Sequence, residues 1–196
     1  PTCRGRVGPC SPHGTGPWNN ASGNEGGIYL CSSSNNTLTY NIVKSNNDDG
    51  IHLWHSSNNT LSDNIAISNN GNGVTLDWSH HNKIKNSTCN LNKWQGIEIY
   101  GSLNNVIINN RALKNDNGVY ERGVYLTLTD NNKLINNTVS HNRYGIELDV
   151  ASNNIIANND CSSNTWYGIR LYNSWDNILN NNVASNSGMG IGIHLD

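Results

Sequence analysis

Two pairs of carboxylates in this chain have spacings suited to acid–base chemistry on extended backbone. Glu147 and Asp149 are two residues apart, so on a β-strand they point the same way, about 7 Å apart. Asp77 and Glu98 are 21 residues apart, and they can act together only if the chain returns to itself after about that length. On adjacent parallel strands they would stand roughly 8 Å apart, a separation at which an inverting glycosidase seats a water between its acid and its base. Catalysis by Asp77, Glu98, Glu147 or Asp149 is therefore an expectation to test, although a long strand face throws up such pairs by chance. His52, His55 and His80 are the candidates for binding a metal. They lack the His-x-His or Cys–His spacing of a ligand set, so no metal and no cofactor is expected.

An element that returns the chain to itself is written into the sequence. Gly27, Gly50, Gly73, Gly96, Gly123, Gly145, Gly168 and Gly192 recur at steps of 22 to 27 residues, most often 23. One residue after the first seven stands Ile or Val, from Ile28 to Ile169; three after, Leu or Ile, from Leu30 to Leu171. Eleven after stand Leu or Ile, and sixteen after, Val, Ala or Cys. The spacing of two within the first segment is the strand period. Nine after each glycine comes Asn36, Asn59, Asn82, Asn105, Asn132, Asn154 and Asn177, and Asn also dominates fourteen and nineteen after. This regularity decides against a disordered Asn-rich tract, despite 40 asparagines in 196 residues.

A 23-residue unit of three short strands and three corners describes one coil of a parallel β-helix. Stacked coils align identical residues, so the Asn columns are expected to bond amide to amide, as in stacked sheets, with Asn supplying the left-handed backbone of the corners. On this reading Asn105 faces inward and Asn104 does not, so Asn105→Ala should cost more. A leucine-rich repeat has a similar period, but its Leu-rich signature and convex-side helix are missing. The expected fold is all-β: a right-handed parallel β-helix of seven full coils and part of an eighth over residues 27–196, preceded by an irregular cap or loop at 1–26.

The phrases "GIYLCSSSNNTLTYN", "GIHLWHSSNNTLSDN" and "GIRLYNSWDNILNNN" resemble the right-handed β-helix repeats of the NosD type, the CASH domain of carbohydrate-binding proteins and sugar hydrolases. The resemblance runs from about Gly27 to Asp196. It implies an extracellular or cell-surface protein, of the kind found on archaea and bacteria. For function it implies less, because such coils serve binding proteins, epimerases, lyases and surface proteins. The "DPH" signature of alginate epimerases is absent. "NDDG" at 47–50 has a faint likeness to the polygalacturonase "NTDG", but Asp49–Gly50 also reads as an ordinary corner.

Composition narrows the partners. A formal charge of −2 with 13% charged residues lacks the clustered Lys and Arg of a nucleic-acid surface. No apolar run reaches the length of a membrane span. Without an initiator Met or leader, the chain is expected to be a processed or excised region. The outward positions of the first strand, two and four after each glycine, gather most of the aromatic and many of the charged residues. Trp54, Trp78, Trp94, Tyr100, Tyr125, Glu147, Arg170 and Tyr172 form a strip with the flat faces and polar groups that bind sugars, although such residues also suit any exposed strand. The outward columns are too mixed for an ice-binding array.

The remaining features concern the ends and the corners. Cys3 and Cys10 are expected to pair with each other, or one of them with Cys31, in an oxidising compartment; Cys89 and Cys161 read as small core residues. Asn20, Asn35 and Asn58, with Asn86 and Asn136, carry glycan-acceptor sequences, though "NNT" is also simply the corner sequence. The 27-residue step places an insertion at 115–123, with Tyr120, Glu121 and Arg122 as a lip. "GIGIHLD" opens an eighth coil, which suggests either a trimmed chain or end-to-end stacking of copies into a filament. The leading expectation is thus an extracellular structural protein, self-stacking into a filament or surface layer, whose strip binds polysaccharide. The alternatives are a polysaccharide-active enzyme using the same strip, and a monomeric carbohydrate-binding module of a larger surface protein.

Overall fold

The computed structural model describes residues 19–115, 122–188 and 191–196. Among them every regular element is a strand, and every strand pairing is parallel with the coil before or after. The fold is a right-handed parallel β-helix. Its first face is an eight-stranded sheet running from Ile28–Cys31 through Ile51–Trp54, Val74–Asp77, Ile97–Tyr100, Arg122–Thr127, Tyr144–Asp149 and Tyr167–Tyr172 to Ile191–Leu195. The second is a seven-stranded sheet from Thr37–Thr39 to Ile178–Asn180.

The third face differs from the expected full strand. Only Ile42–Lys44 and Ile65–Ile67 pair as strands. Above them the face continues as single bridges at Thr88, Arg111, Thr138, Asp160 and Val183. Its inward residues are small (Cys89, Ala112, Val139, Cys161), so the corners close in around one side chain per coil.

The core is one column of stacked apolar layers. Leu53, Leu61, Ala66, Leu76, Ile84, Cys89, Ile99, Ile107, Leu126, Leu134, Ile146 and Ile156 are all fully buried, as the repeat slots require. Cys89 and Cys161 are free thiols inside it, and burial pushes Cys89 up to about 12.

Apart from exposed Asn36 and half-buried Asn177 and Asn182 at the ends, the asparagine columns are buried, but their bonding is not simply amide to amide. Asn36, Asn59 and Asn82 donate their backbone N–H to the Oδ1 of Asn59, Asn82 and Asn105 in the next coil, each at 2.7 Å. The side-chain NH₂ turns to a backbone carbonyl, as from Asn82 to Ser56. In that column side-chain amide bonds join in from Asn105 to Asn177, and in the column nineteen after glycine the expected amide ladder runs from Asn46 to Asn164. Nor do these asparagines hold the left-handed corners. That backbone falls one position earlier, at Asn35, Asn58, His81, Asn104, Asn131, Asn153 and Asp176, where the side chain faces solvent.

The stack starts before residue 27. Asn20 bridges Ile42 in parallel, Ala21 donates to the Ile42 carbonyl at 2.9 Å, and Asn24 accepts from Asn47 and bonds Asn46. Residues 19–24 therefore form the third face of a preceding coil. Cys31 is disulfide-bonded; Cys3 and Cys10 lie outside the described residues, as do Tyr120 and Glu121 of the expected lip. Asn20, Asn35 and Asn58 are exposed, as are Asn86 and Asn136. No helix among the described residues is long and apolar enough to cross a membrane.

Candidate functional site

The first face carries the chemistry because its strands alternate. Ile and Leu one and three after each glycine fill the core, leaving the residues two and four after to stand outward. In the second to fourth coils these are His52 and Trp54, Thr75 and Asp77, Glu98 and Tyr100, in register from coil to coil. Beside them runs a third column, the residue just before each glycine: Asp49, Asn72 and Gln95. Of these, Asp49, His52, Asn72, Thr75, Asp77, Glu98 and Tyr100 line a cleft of about 290 Å³ that also takes in Asp48 and Trp94; Trp54 and Gln95 lie beside it.

The polar floor of this cleft is a closed hydrogen-bond network. Asp49, 9% exposed, accepts from the Asn72 backbone N–H at 2.7 Å and from the Thr75 hydroxyl at 2.7 Å. The His52 Nδ1 faces the same carboxylate at 3.3 Å. The Asn72 Nδ2 donates to Thr75 Oγ1 at 3.0 Å and to Glu98 Oε2 at 2.7 Å. Gly71 makes room for this corner: a Cβ there would stand 2.8 Å from the Asp49 backbone nitrogen.

Burial pushes the Asp49 carboxyl above the usual carboxylate range, against the lowering effect of its bonds from Thr75 and Asn72. Burial likewise raises Glu98, and the negative charge of Asp49 adds to it. Asp77 is raised by burial too, with His52 and His55 opposing.

The expected strip divides in two. Trp94, 53% exposed, Tyr100, Asp77 and Glu98 belong to the cleft. Trp78 lies at its margin, edge-on to Tyr100 and packed on Gly101. Trp54 sits against His55. The other half, in the fifth to eighth coils, is an ion-pair network. Glu147 is only 2% exposed, bound by Arg122 and, at 3.0 Å, by Arg170. Arg170 continues to Asp196 at 2.8 Å. Tyr125 lies under the Arg122 guanidinium and donates to Asp149 at 3.0 Å; burial pushes its hydroxyl up to about 12. Tyr172 is exposed beside Arg170. Glu147 is thus an interior group, and the Glu147/Asp149 pair is engaged with its own neighbours.

The histidines do not converge. His55 is exposed, and the His80 Nδ1 accepts the Leu103 backbone N–H at 3.0 Å. Among the described residues no group of three His, Cys, Asp or Glu is placed to hold a metal. Sequence reading set Asp49 aside as a corner residue and did not single out Asn72 or Thr75. The signal available was the polar residue before each glycine, which passes for corner sequence.

A fold of this kind on a NosD-type repeat places the chain in a family. The model of the periplasmic copper-binding protein NosD matches residues 13–122 and 120–196, and the chain belongs to the NosD family. Copper does not fit the described residues. The soft ligands copper prefers are represented by Cys89 and Cys161, both sealed in the core, and the histidines are dispersed as above. A comparison with curated proteins gives no match.

Solved structures share the fold. The mannuronan C-5 epimerase AlgE6 A-module of Azotobacter vinelandii is 21% identical with a TM-score of 0.73, over 80% of this chain and 43% of that one. The periplasmic alginate epimerase AlgG is 17% identical with a TM-score of 0.71, over 88% and 47%. The enzymatically active domain of bacteriophage CBA120 tailspike protein 2 is 19% identical with a TM-score of 0.69, over 81% and 26%. The chain spans less than half the length of each.

Proposed function

We propose that this chain is an extracytoplasmic, glycan-cleaving β-helix whose active site is the cleft of the second to fourth coils. The observation that carries this reading is the half-buried Glu98 carboxyl, held by Asn72 in a cleft that Asp77, Trp94 and Tyr100 also line. Burial and the charge of Asp49 raise the Glu98 carboxyl above the usual range, against the bond from Asn72 and the charge of Arg122, a direction that suits a general acid. Asp77, one coil back and two residues along, stands roughly 8 Å away by strand and coil spacing, the span of an inverting pair. Glu98 gives its proton to the glycosidic oxygen as the bond from that oxygen to C1 breaks. Asp77 takes a proton from the water whose oxygen bonds to C1. The enzyme is left with Glu98 ionised and Asp77 protonated, and exchange with solvent resets both. Trp94 and Tyr100 offer ring faces for sugar stacking. Location outside the cytoplasm is supported by the disulfide at Cys31 and by the family's periplasmic description. The epimerase and tailspike neighbours support a polysaccharide as substrate.

The test is release of reducing ends from a panel of polysaccharides. Glu98→Gln should slow it by about 100-fold or more, the usual contribution of a general acid, while Asp149→Asn, outside the cleft, leaves the rate near wild type. Activity should be bell-shaped in pH, needing Asp77 ionised and Glu98 protonated. An unchanged rate in Glu98→Gln, or no cleavage of any glycan, sinks the reading.

A second reading, self-association into a filament or surface layer, is favoured by the apolar residues that the last coils expose. Ile178, Val183, Ile193 and Leu195 are 46% to 68% exposed and would suit a further β-layer from a second copy. Threads in electron micrographs of the purified chain would mark it.

A further inference from the structure

The cleft's hydrogen-bonding capacity is one-sided. Among the described residues, the buried side-chain atoms on this part of the face that lack any partner are Asp77 Oδ1, Gln95 Oε1 and His52 Nε2. Asp77 Oδ1 and Gln95 Oε1 are acceptors. The His52 Nε2 accepts or donates according to the tautomer of the ring, whose Nδ1 faces Asp49. Gln95 is 6% exposed, and it continues the column of Asp49 and Asn72 beside Trp94, with its backbone N–H bonded to Asn72 Oδ1 at 2.9 Å. A buried acceptor without a donor is costly, so a ligand that brings several donors is favoured.

Charge points the same way. The ionisable groups facing the cleft are Asp48, Asp49, His52, Asp77, Glu98 and Tyr100, with Tyr29 and His55 at the margin. The nearest guanidinium, Arg122, lowers Glu98 but is bound to Glu147. Among the described residues, no Lys or Arg lines the cleft.

We infer that this cleft selects a glycan carrying free amino groups, such as a chain of glucosamine units, over neutral and uronic-acid chains. An ammonium group offers three donors and a positive charge to a cleft of open acceptors and carboxylates. An acetylated amine keeps one N–H and no charge. A uronate adds an acceptor and like charge, which such a site repels. Binding the ammonium also favours the ionised form of Asp77, whose carboxyl burial raises, so binding should release protons.

This inference rests on the cleft being the glycan site, and the experiment separates the two. Binding of glucosamine hexamer, N-acetylglucosamine hexamer and a mannuronate hexamer is measured by calorimetry at about pH 6, with EDTA throughout, alongside a cleavage assay on each. The glucosamine hexamer should bind at least about tenfold more tightly than the other two, the scale of one charge-assisted hydrogen bond. Its affinity should fall with added salt. Asp77→Asn should remove most of the preference, with the melting temperature as a check on folding. Equal or tighter binding of the acetylated hexamer overturns the selectivity and leaves the hydrolase reading standing. Selective binding without cleavage supports the selectivity and sinks the hydrolase reading. Binding of none of the three overturns the inference.

Discussion

Asn104 is exposed with φ of 60°, while Asn105 is fully buried. The Oδ1 of Asn105 accepts the Asn82 backbone N–H at 2.7 Å, and its own N–H reaches Asn132 Oδ1 at 2.8 Å. The neighbours are chemically identical and have different tasks: one turns the chain, the other satisfies the turn. The inward slot was legible because nine after glycine is Asn in every coil. The left-handed slot was not, because it accepts Asn, His and Asp alike. Alanine at either position carries a cost, so glycine is the better probe of Asn104. Asn105→Ala should destabilise by about 1–3 kcal/mol, the cost of stranding a buried N–H. Asn104→Gly, which frees the left-handed backbone, should change stability by only a few tenths. Thermal melts of the two variants check this; equal losses would contradict the division of tasks.

At the scale of the coil, glycine stands at the head of each first strand for room and not for turning. The column glycines have ordinary φ, but a Cβ on Gly73 would lie 2.7 Å from Asn92 Nδ2 and 3.0 Å from Cys89 Cβ. The first face packs directly against the last Asn column, with no space for a methyl. Gly23 is the contrast: φ of 70° and nothing within 4 Å of a built Cβ. Gly73→Ala should therefore cost about 3 kcal/mol through overpacking, and Gly23→Ala only about 1 kcal/mol through backbone strain. Urea titration of both would show the order reversed if the glycines served the backbone conformation. The apolar slots and the Gly and Asn columns were legible because they repeat. A buried Ser/Thr column six after glycine (Ser56, Ser79, Ser102, Thr129) was not, although it bonds coil to coil through Ser56 and Ser79. Small hydroxyl residues read as loop unless their burial is known. The floor of the cleft was hidden for the same reason: Asp49 and Asn72 sit where corner sequence is expected. Asp77 and Glu98 could be picked out because they stand on the regular strand.

At the scale of the molecule, each coil touches only the coil before and the coil after, so stability is a sum of neighbour terms along one axis. Those terms are uneven. In the middle, Leu76, Ile84, Ile99, Ile107, Leu126 and Leu134 are fully buried. In the last coils Leu179 and Ala184 are only partly buried, and Ile178 is 57% exposed. Local opening should follow that gradient. In amide hydrogen exchange of the 196-residue chain, the N–H groups around Ile84 and Ile107 should be protected longest, and those of Ile178–Asn180 should exchange earlier. The cleft lies in the second to fourth coils, within the better-buried part, so the Glu98 and Asn72 amides should remain protected under conditions that open the last coil. Asn105→Ala, placed between the cleft and the Arg122–Glu147–Arg170 network, should bring forward exchange on both sides of it, from the Ile84 strand to the Leu134 strand. Uniform protection from Leu38 to Leu179, lowered evenly by Asn105→Ala, would instead mean that the coils unfold as one unit and that neighbour terms do not describe this helix.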